Sequence, residues 1–209
     1  NEVLAAGIIS LIDWYGNTSL IDPMCGSGTM LIEAALIGIN RAPNIYRKSF
    51  KFQNWKDYDN ALFKNIKSKL IENEKKCGAS IKGFDISASA ISTTRKHIQN
   101  MGLDNVIKIQ GQNFFKSTEV KKNAIIVFNP PYGKRLELKK DYYTKIGDTL
   151  KQNYTDTYAW IISSEMEEIK KIGLRTSRKI KLFNGPLECK LLKYELYKGS
   201  KKANKSQNE

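Results

Sequence analysis

The sequence feature that most constrains the fold is a glycine-containing loop at residues 22–29 (DPMCGSGT). Residues 19–21 (SLI), before the loop, suit a short β-strand, and residues 30–39, after it, are rich in strong helix formers. A strand, a turn of small residues and a helix form the first half of a βαβ unit. Such a turn can bring backbone N–H groups and the positive end of a helix close to a ligand.

Three residues of this glycine loop are candidates for ligand contact. Gly26 and Gly28 supply freedom in φ and lack a Cβ, so a ligand can approach the backbone. Asp22 follows the strand, at the edge where open α/β sheets bind ligands. The loop has neither the spacing of a dinucleotide-binding GxGxxG motif nor the lysine of a phosphate-binding P-loop, which weakens both of these interpretations. On this stretch alone, a simple turn remains an alternative.

A second informative stretch, at residues 125–133 (IIVFNPPYG), ends an apolar run with an amide and two prolines. Because neither proline can donate a hydrogen bond to a sheet, the predicted strand ends at Asn129. This places an amide side chain, a stiff turn with several carbonyl groups and the ring of Tyr132 at the same sheet edge as the glycine loop. Taken alone, the stretch is explained equally well as a rigid turn.

Two further predicted strands end near polar residues. Residues 81–86 (IKGFDI) predict a strand that ends at Asp85, where a carboxylate can accept hydrogen bonds from ribose hydroxyls; an N-capping or surface role is the alternative. After a third strand at residues 106–110, Asn113 can accept a hydrogen bond from an adenine amine while Phe114 packs beside the ring. A turn-forming asparagine and a core phenylalanine would explain the same two residues.

The remainder of the chain completes an α/β pattern. Residues 158–163 predict a fifth strand, and two final strands, at 179–183 and 187–197, flank the hairpin sequence Asn-Gly-Pro. The predicted fold is therefore α/β and Rossmann-like: a seven-stranded, mostly parallel sheet that ends in an antiparallel β-hairpin. Residues 198–209 are polar and basic and are predicted to form a disordered tail.

The charge of the chain points to a polyanionic partner. The formal net charge is +14 and the pI is about 9.6, and lysine and arginine gain affinity for nucleic acid by releasing counterions from phosphates. Residues 41–55 interleave basic and aromatic side chains, a composition that suits phosphate contact with base stacking. In the alternative interpretation, the lysines reflect the source or a solvated face, and Phe50, Phe52 and Trp55 anchor a long insertion.

Several classes of protein are disfavoured by composition. No run of eighteen apolar residues occurs, so a membrane span is not expected. Cys25, Cys77 and Cys189 are odd in number and widely spaced, which argues against a disulfide framework or a zinc site and favours a reducing cytoplasm. The single histidine, His97, lies in a basic helical pattern and is expected at the surface, so no metal is predicted.

Three stretches together resemble one known family: residues 22–29, residues 129–133 (NPPYG) and residues 182–189 (LFNGPLEC). The chain looks like the catalytic domain of the bacterial THUMP-associated RNA methyltransferases, which modify the exocyclic 2-amino group of guanine in large-subunit rRNA. Residues 41–43 (RAP) and 173–175 (GLR) strengthen the resemblance, which covers residues 1–197.

The resemblance implies S-adenosylmethionine as the cofactor, RNA as the partner, and an upstream THUMP RNA-binding module. The abrupt start of the chain, without an initiating methionine, agrees with a fragment. The residues implied in cofactor binding are Asp22, Cys25, Gly26, Ser27, Gly28, Thr29, Asp85, Ile86, Asn113 and Phe114. The family class often has Asp at position 113; an Asn there keeps the carbonyl acceptor but loses the charge.

The catalytic residues implied by the resemblance are Asn129, Pro130, Pro131 and Tyr132. Asn129 and the carbonyl of Pro130 would accept hydrogen bonds from the target amine, and Tyr132 would stack on the base. Three alternatives remain open: an adenine amino-methyltransferase that acts on DNA, a glutamine methyltransferase that acts on protein, and a catalytically silent RNA-binding module. The basic charge argues against a protein substrate, and the segment at residues 182–189 argues against DNA.

Overall fold

The structure is a computed structural model that describes residues 1–117, 122–131 and 141–198. Within these residues the strands are β1 (Leu20–Asp22), β2 (Ile81–Asp85), β3 (Ile107–Gly111), β4 (Ile125–Phe128), β5 (Thr157–Ser163), β6 (Thr176–Asn184) and β7 (Leu187–Leu196). The helices are α1 (Glu2–Leu11), α2 (Thr29–Gly38), α3 (Asn60–Glu72), α4 (Ala88–Asn100) and α5 (Tyr142–Asn153). Short 3-10 helices span Lys51–Asn54, Phe114–Lys116 and Glu168–Ile172.

The strands form one sheet in the order β3-β2-β1-β4-β5-β7-β6. Strands β1 to β5 run parallel, whereas β7 pairs antiparallel with both β5 and β6. Since β1 lies between β2 and β4, the order reverses there, and ligands bind at such a switch point, outside the carboxyl ends of the strands. The predicted seven-stranded, mostly parallel sheet with a C-terminal antiparallel hairpin is confirmed.

The core has two halves because successive residues of the buried strands face opposite sides of the sheet. Val127 packs with α1, α2 and α4 in one hydrophobic cluster, whereas Ile126 and Phe128 pack with α5 and Glu168–Ile172 in the other. The predicted helix at residues 165–172 is only this short 3-10 helix. It lies so close to α5 that a Cβ at Gly147 would collide with the carbonyl of Ile172.

Residues 39–80, between α2 and β2, form an inserted segment at the end of the sheet away from the glycine loop. Helix α2 begins at that loop and has ten residues, so its far end lies about 15 Å away. The backbone N–H of Lys75 donates to the Ile39 carbonyl at 2.8 Å, and Arg41 and Glu74 form a bidentate ion pair at 2.9 Å, which closes the segment at its base.

The aromatic residues of the inserted segment pack mainly on one another. The rings of Phe50 and Phe52 stack at 5.2 Å, and both contact Phe63 of α3. Trp55 remains 67% exposed, and no residue of α3 is buried. The alternative in which Phe50 and Phe52 anchor the insertion to the core is therefore wrong, because both rings pack on α3, which belongs to the insertion itself.

Candidate active site

Backbone hydrogen bonds fix the glycine loop against β2. The N–H of Cys25 donates to the Phe84 carbonyl at 2.9 Å, and the N–H of Gly28 donates to the Cys25 carbonyl at 2.8 Å. Asp22 is only 3% exposed, and its Oδ1 accepts from the N–H of Met24 at 3.1 Å. The loop is therefore a hydrogen-bonded turn, and residues 22–27 and 29 line a cleft.

The two glycines of the loop are required for different reasons. Both have positive φ, +53° at Gly26 and +79° at Gly28. A Cβ at Gly26 would meet no atom within 4 Å, whereas one at Gly28 would collide with Cγ2 of Thr94 on α4. Gly26 thus leaves room for a ligand, as expected, but the need for glycine at Gly28 comes from helix packing and not from a ligand.

Two residues of α4 that the sequence analysis did not assign to the site hold the loop from behind. Thr94 Oγ1 donates to the Gly26 carbonyl at 2.6 Å, and His97 Nδ1 donates to the Ser27 carbonyl at 3.0 Å. His97 is exposed, as expected, yet it contacts the loop. A usable signal was the position of Thr94 in the buried stripe of α4, where a polar residue needs a partner.

Asp85 connects the loop to the start of α4. Its Oδ2 accepts from the N–H of Gly26 at 2.9 Å and its Oδ1 accepts from the N–H of Ser87 at 2.8 Å. Ser87, not Asp85, is the N-cap of α4. Because a carboxylate has about four lone-pair sites, two remain for ribose hydroxyls. The next residue, Ile86, is 74% exposed and faces the same cleft, where an apolar ring could cover it.

Asn113 and Phe114 lie at the cleft but also have local structural roles. Asn113 Oδ1 accepts from the N–H of Phe115 at 2.9 Å and caps the 3-10 helix that follows. Phe114 is buried, with its ring centroid 5.6 Å from that of Phe128. The turn-forming asparagine and the core phenylalanine are therefore both observed. One lone pair of Asn113 Oδ1 remains for an adenine amine, so that role stays a prediction.

The turn after β4 completes the cleft. Asn129, Pro130 and Pro131 follow Phe128 directly, and β4 ends before Asn129 as predicted. The Asn129 side chain is exposed and Pro130 is buried. Tyr132 lies outside the described residues.

The cleft has a volume of about 1220 Å³ and brings together parts of the chain that are far apart in sequence. Of the residues implied by the resemblance, those that line it are Asp22, Cys25, Gly26, Ser27, Thr29, Asp85, Ile86, Asn113, Phe114, Asn129, Pro130 and Pro131. Gly28 does not line it. The cleft exceeds the usual 300–1,000 Å³ of a small-molecule site, so it can hold a cofactor and part of a second substrate.

Burial governs the ionisation of the groups around the cleft. Burial raises the pKa of Asp22 to about 8; the N–H of Met24 opposes this shift and the charge of Asp85 adds to it. Burial, with the charges of Asp22 and Asp85, also raises the pKa of Cys25, so this residue is a thiol at neutral pH and not a nucleophilic thiolate. Across the described part of the chain, no group of three or more His, Cys, Asp or Glu residues could hold a metal ion.

The strand order, with its antiparallel seventh strand, and the cleft at the switch point define the class of Rossmann-like, S-adenosylmethionine-dependent methyltransferases. The model of one family in this class, described as the RMKL-like methyltransferase domain, matches residues 1–193, and this chain belongs to that family. The family to which the sequence motifs pointed is thereby confirmed.

Two relatives illustrate the match. The protein slr0064 of Synechocystis sp., named as a candidate RNA methyltransferase, is 36% identical over 200 residues, which cover 94% of this chain and 52% of that protein. The ribosomal RNA large subunit methyltransferase K/L of Psychromonas ingrahamii is 34% identical over 210 residues, which cover 93% of this chain and 27% of that protein. The chain thus spans about half the length of the first relative and about a quarter of the second.

Two solved structures have the same fold as this chain. The crystal structure of SMU.472, named as a candidate methyltransferase and complexed with S-adenosylhomocysteine, superposes with a TM-score of 0.87 at 30% identity, over 95% of this chain and 53% of that one. A protein of Listeria monocytogenes named as a predicted N6-adenine-specific DNA methylase superposes with a TM-score of 0.82 at 26% identity, over 93% of this chain and 51% of that one.

Proposed function

We propose that this chain is the catalytic domain of an S-adenosylmethionine-dependent RNA methyltransferase that acts on the exocyclic 2-amino group of a guanine in large-subunit rRNA. The observation that carries the proposal is that Asn129 and Pro130 lie in the same cleft as Gly26 and Asp85. Shared lining of one cleft supports a pairing of acceptors for an amine with groups suited to a nucleoside cofactor. The names of the two relatives support RNA as the substrate.

The residues of the cleft fit S-adenosylmethionine. Gly26 leaves open space at the backbone, Asp85 retains lone pairs for two ribose hydroxyls, and the exposed Ile86 offers an apolar contact for adenine. The cofactor supplies an electrophilic methyl group on a sulfonium sulfur. Asp22 keeps the turn in shape through Met24, and a cationic group nearby would lower the pKa of its carboxyl and favour the charged form.

The chemical contribution of the chain is to position the amine. An exocyclic guanine amine is a poor nucleophile, because its lone pair is delocalised into the ring. The Asn129 Oδ1 and the Pro130 carbonyl would accept hydrogen bonds from its two N–H groups and draw the nitrogen towards tetrahedral geometry, with the lone pair directed at the methyl group. Neither proline has an N–H that would repel the amine. The nitrogen loses a proton to water after it has gained positive charge, so no strong base is needed before the attack.

The partners of the domain follow from the same proposal. A target base within folded RNA has to be unstacked to reach the cleft, and an aromatic side chain such as Tyr132 is the expected platform. The net charge of +14 favours RNA as a polyanionic partner. An upstream THUMP module and a cytoplasmic location remain predictions. No helix in the described ranges is long and apolar enough to cross a membrane.

The second candidate function is adenine N6-methylation of DNA, which the name of the Listeria protein favours. The same acceptors, Asn129 and Pro130, would serve an adenine amine. Transfer of labelled methyl from S-adenosylmethionine into unmodified rRNA, DNA and protein, followed by nucleoside digestion, separates the candidates. We expect the label in N2-methylguanosine from rRNA. Label in N6-methyl-2′-deoxyadenosine from DNA would overturn the proposal of RNA as the substrate, and cofactor binding without transfer to any substrate would indicate a silent module.

A further inference from the structure

The β6–β7 hairpin reaches the mouth of the cleft. Asn184 and Cys189 line the cleft, and the chain turns between them through Gly185, whose φ is +61°. Residues 183–187, the hairpin tip, therefore lie at the rim of the cleft: Asn184 lines it, and strand alternation directs the neighbouring Phe183 to the other face of the hairpin.

The hairpin tip exposes apolar side chains where burial would be expected. Phe183 is 58% exposed and Leu187 is 42% exposed. The Lys181 ammonium lies 5.3 Å from the centre of the Phe183 ring and 2.7 Å from Oε2 of Glu188, which holds this cation beside the ring. An aromatic face with a cation next to it is the arrangement on which unstacked bases of single-stranded RNA bind.

A row of basic residues leads away from the tip along edge strand β6. Ile180 and Leu182 pack against the core, and strand alternation places Lys179, Lys181 and Phe183 together on the opposite face, where all three are exposed. Residues 175–198 contain seven lysines and arginines against two glutamates. Lysines on an edge strand also oppose pairing with another strand, so this face is poorly suited to an added peptide strand.

We propose that this face of the hairpin binds the single-stranded RNA that flanks the target nucleotide. Lys179 and Lys181 contact its phosphates, and a neighbouring unpaired base stacks on Phe183. This surface rests on the proposed function, because it assumes that RNA is the substrate. It assigns to the hairpin a substrate-holding role in addition to its place in the sheet.

The test measures the binding of the 209-residue chain to a fluorescein-labelled single-stranded RNA by anisotropy over a series of salt concentrations. We expect Phe183→Ala to weaken binding about tenfold and Phe183→Tyr to retain it, since base–aromatic stacking is sensitive to loss of the ring. The double variant K179A/K181A should lower the slope of log K against log salt by about 1.4, because each phosphate contact on a single strand contributes about 0.7.

Two further variants separate an RNA surface from a structural role. Glu188→Gln removes the negative charge at the tip and should tighten binding about two- to fivefold, a gain that loss of structure would not produce. K48A/K51A removes two exposed lysines from the inserted segment and should leave the affinity for the labelled RNA nearly unchanged.

The outcomes distinguish failure of the surface from failure of the proposed function. In the first outcome, the unsubstituted chain binds RNA, the hairpin variants bind it as tightly as the unsubstituted chain, and K48A/K51A binds it more weakly. The proposed surface would then be wrong, and RNA would remain the substrate. If the unsubstituted chain does not bind RNA and transfers its label to DNA or protein, both are overturned.

Discussion

The inserted segment and the β6–β7 hairpin carry basic and aromatic residues in similar proportion, but these residues have different surroundings in the structure. In the inserted segment, Phe50 and Phe52 stack on each other and pack on α3, about one helix length from the glycine loop. In the hairpin, Phe183 is exposed next to Asn184, which lines the cleft that contains Asn129 and Asp85. Composition alone does not separate an RNA surface from a folded insertion; the position of each segment relative to the cleft does.

The largest effect is expected for Asn129→Ala, at the cleft end. Loss of a positioned hydrogen-bond partner for the amine should lower methyl transfer at least about 100-fold. Cofactor affinity should remain, because the proposed role of Asn129 is to bind the target amine and not the cofactor. Rapid-quench transfer assays and calorimetry measure the two quantities separately. Unchanged turnover would remove Asn129 from the mechanism.

The second effect concerns the structural support of the glycine loop. Gly28→Ala combines positive φ with a collision against Thr94 and should lower the free energy of unfolding by about 3 kcal/mol. Gly26→Ala is the matched control: it has the same kind of strain but no collision, and should cost about 1 kcal/mol while it weakens cofactor binding. Urea denaturation measures both variants. Equal losses of stability would show that packing against α4 is unimportant.

The third effect is on cofactor affinity. Asp85→Ala should weaken S-adenosylmethionine binding about 10- to 100-fold, because hydrogen bonds to a charged group contribute about 1.5–3 kcal/mol. Part of this loss comes from the freed N–H of Gly26, so Asp85→Asn, which keeps two polar atoms, should lose less. Calorimetric titration distinguishes the variants, and wild-type affinity in Asp85→Ala would exclude the ribose contact.

The fourth effect is a dependence of stability on pH. The pKa of Asp22 is about 8 in the folded chain and near its ordinary value of about 3.9 in the unfolded chain. Between these values the folded state holds a proton that the unfolded state has lost, so stability falls as pH rises and levels off above about 8. Asp22→Asn should flatten this decline in urea denaturation. A decline of equal steepness in the variant would assign it to other groups.

The smallest effect is expected at the other end of the sheet. Trp55 is exposed on the inserted segment, so Trp55→Ala should change cofactor affinity and methyl transfer by less than about twofold and stability by less than about 0.5 kcal/mol. A large loss of methyl transfer to RNA in this variant would show that the inserted segment contacts the substrate. The inserted segment and the hairpin would then not differ in function.

The parts of the site that follow from local signals could be predicted from the sequence. The glycine loop, the strand that ends at Asp85 and the stop at Asn129 each depend on neighbouring residues whose propensities agree. The number of strands and the antiparallel end of the sheet followed from five βα-type strands and a terminal hairpin, whereas the order of the strands came from the structure. These are the elements that bring the cleft together.

The parts that depend on tertiary contacts could not be predicted. The collision that fixes Gly28 involves Thr94, and the hydrogen bond of His97 to Ser27 joins α4 to the glycine loop, which is far away in sequence. The residues at 165–172 form a 3-10 helix because they pack on α5 at Gly147, which no local pattern reveals. Similarly, the basic and aromatic letters of residues 41–55 gave no indication that they lie at the end of the sheet opposite the cleft.

The most direct test of the central claim is hydrogen exchange measured by mass spectrometry, with and without S-adenosylhomocysteine. If the cleft is the cofactor site, peptides that contain residues 22–29 and 85–87 should gain protection, because ligand binding stabilises the backbone hydrogen bonds of the loop and of Asp85. The exchange of peptides from residues 41–72, within the inserted segment, should not change when the ligand binds. Protection of the inserted segment with an unchanged glycine loop would contradict the assignment of the cleft.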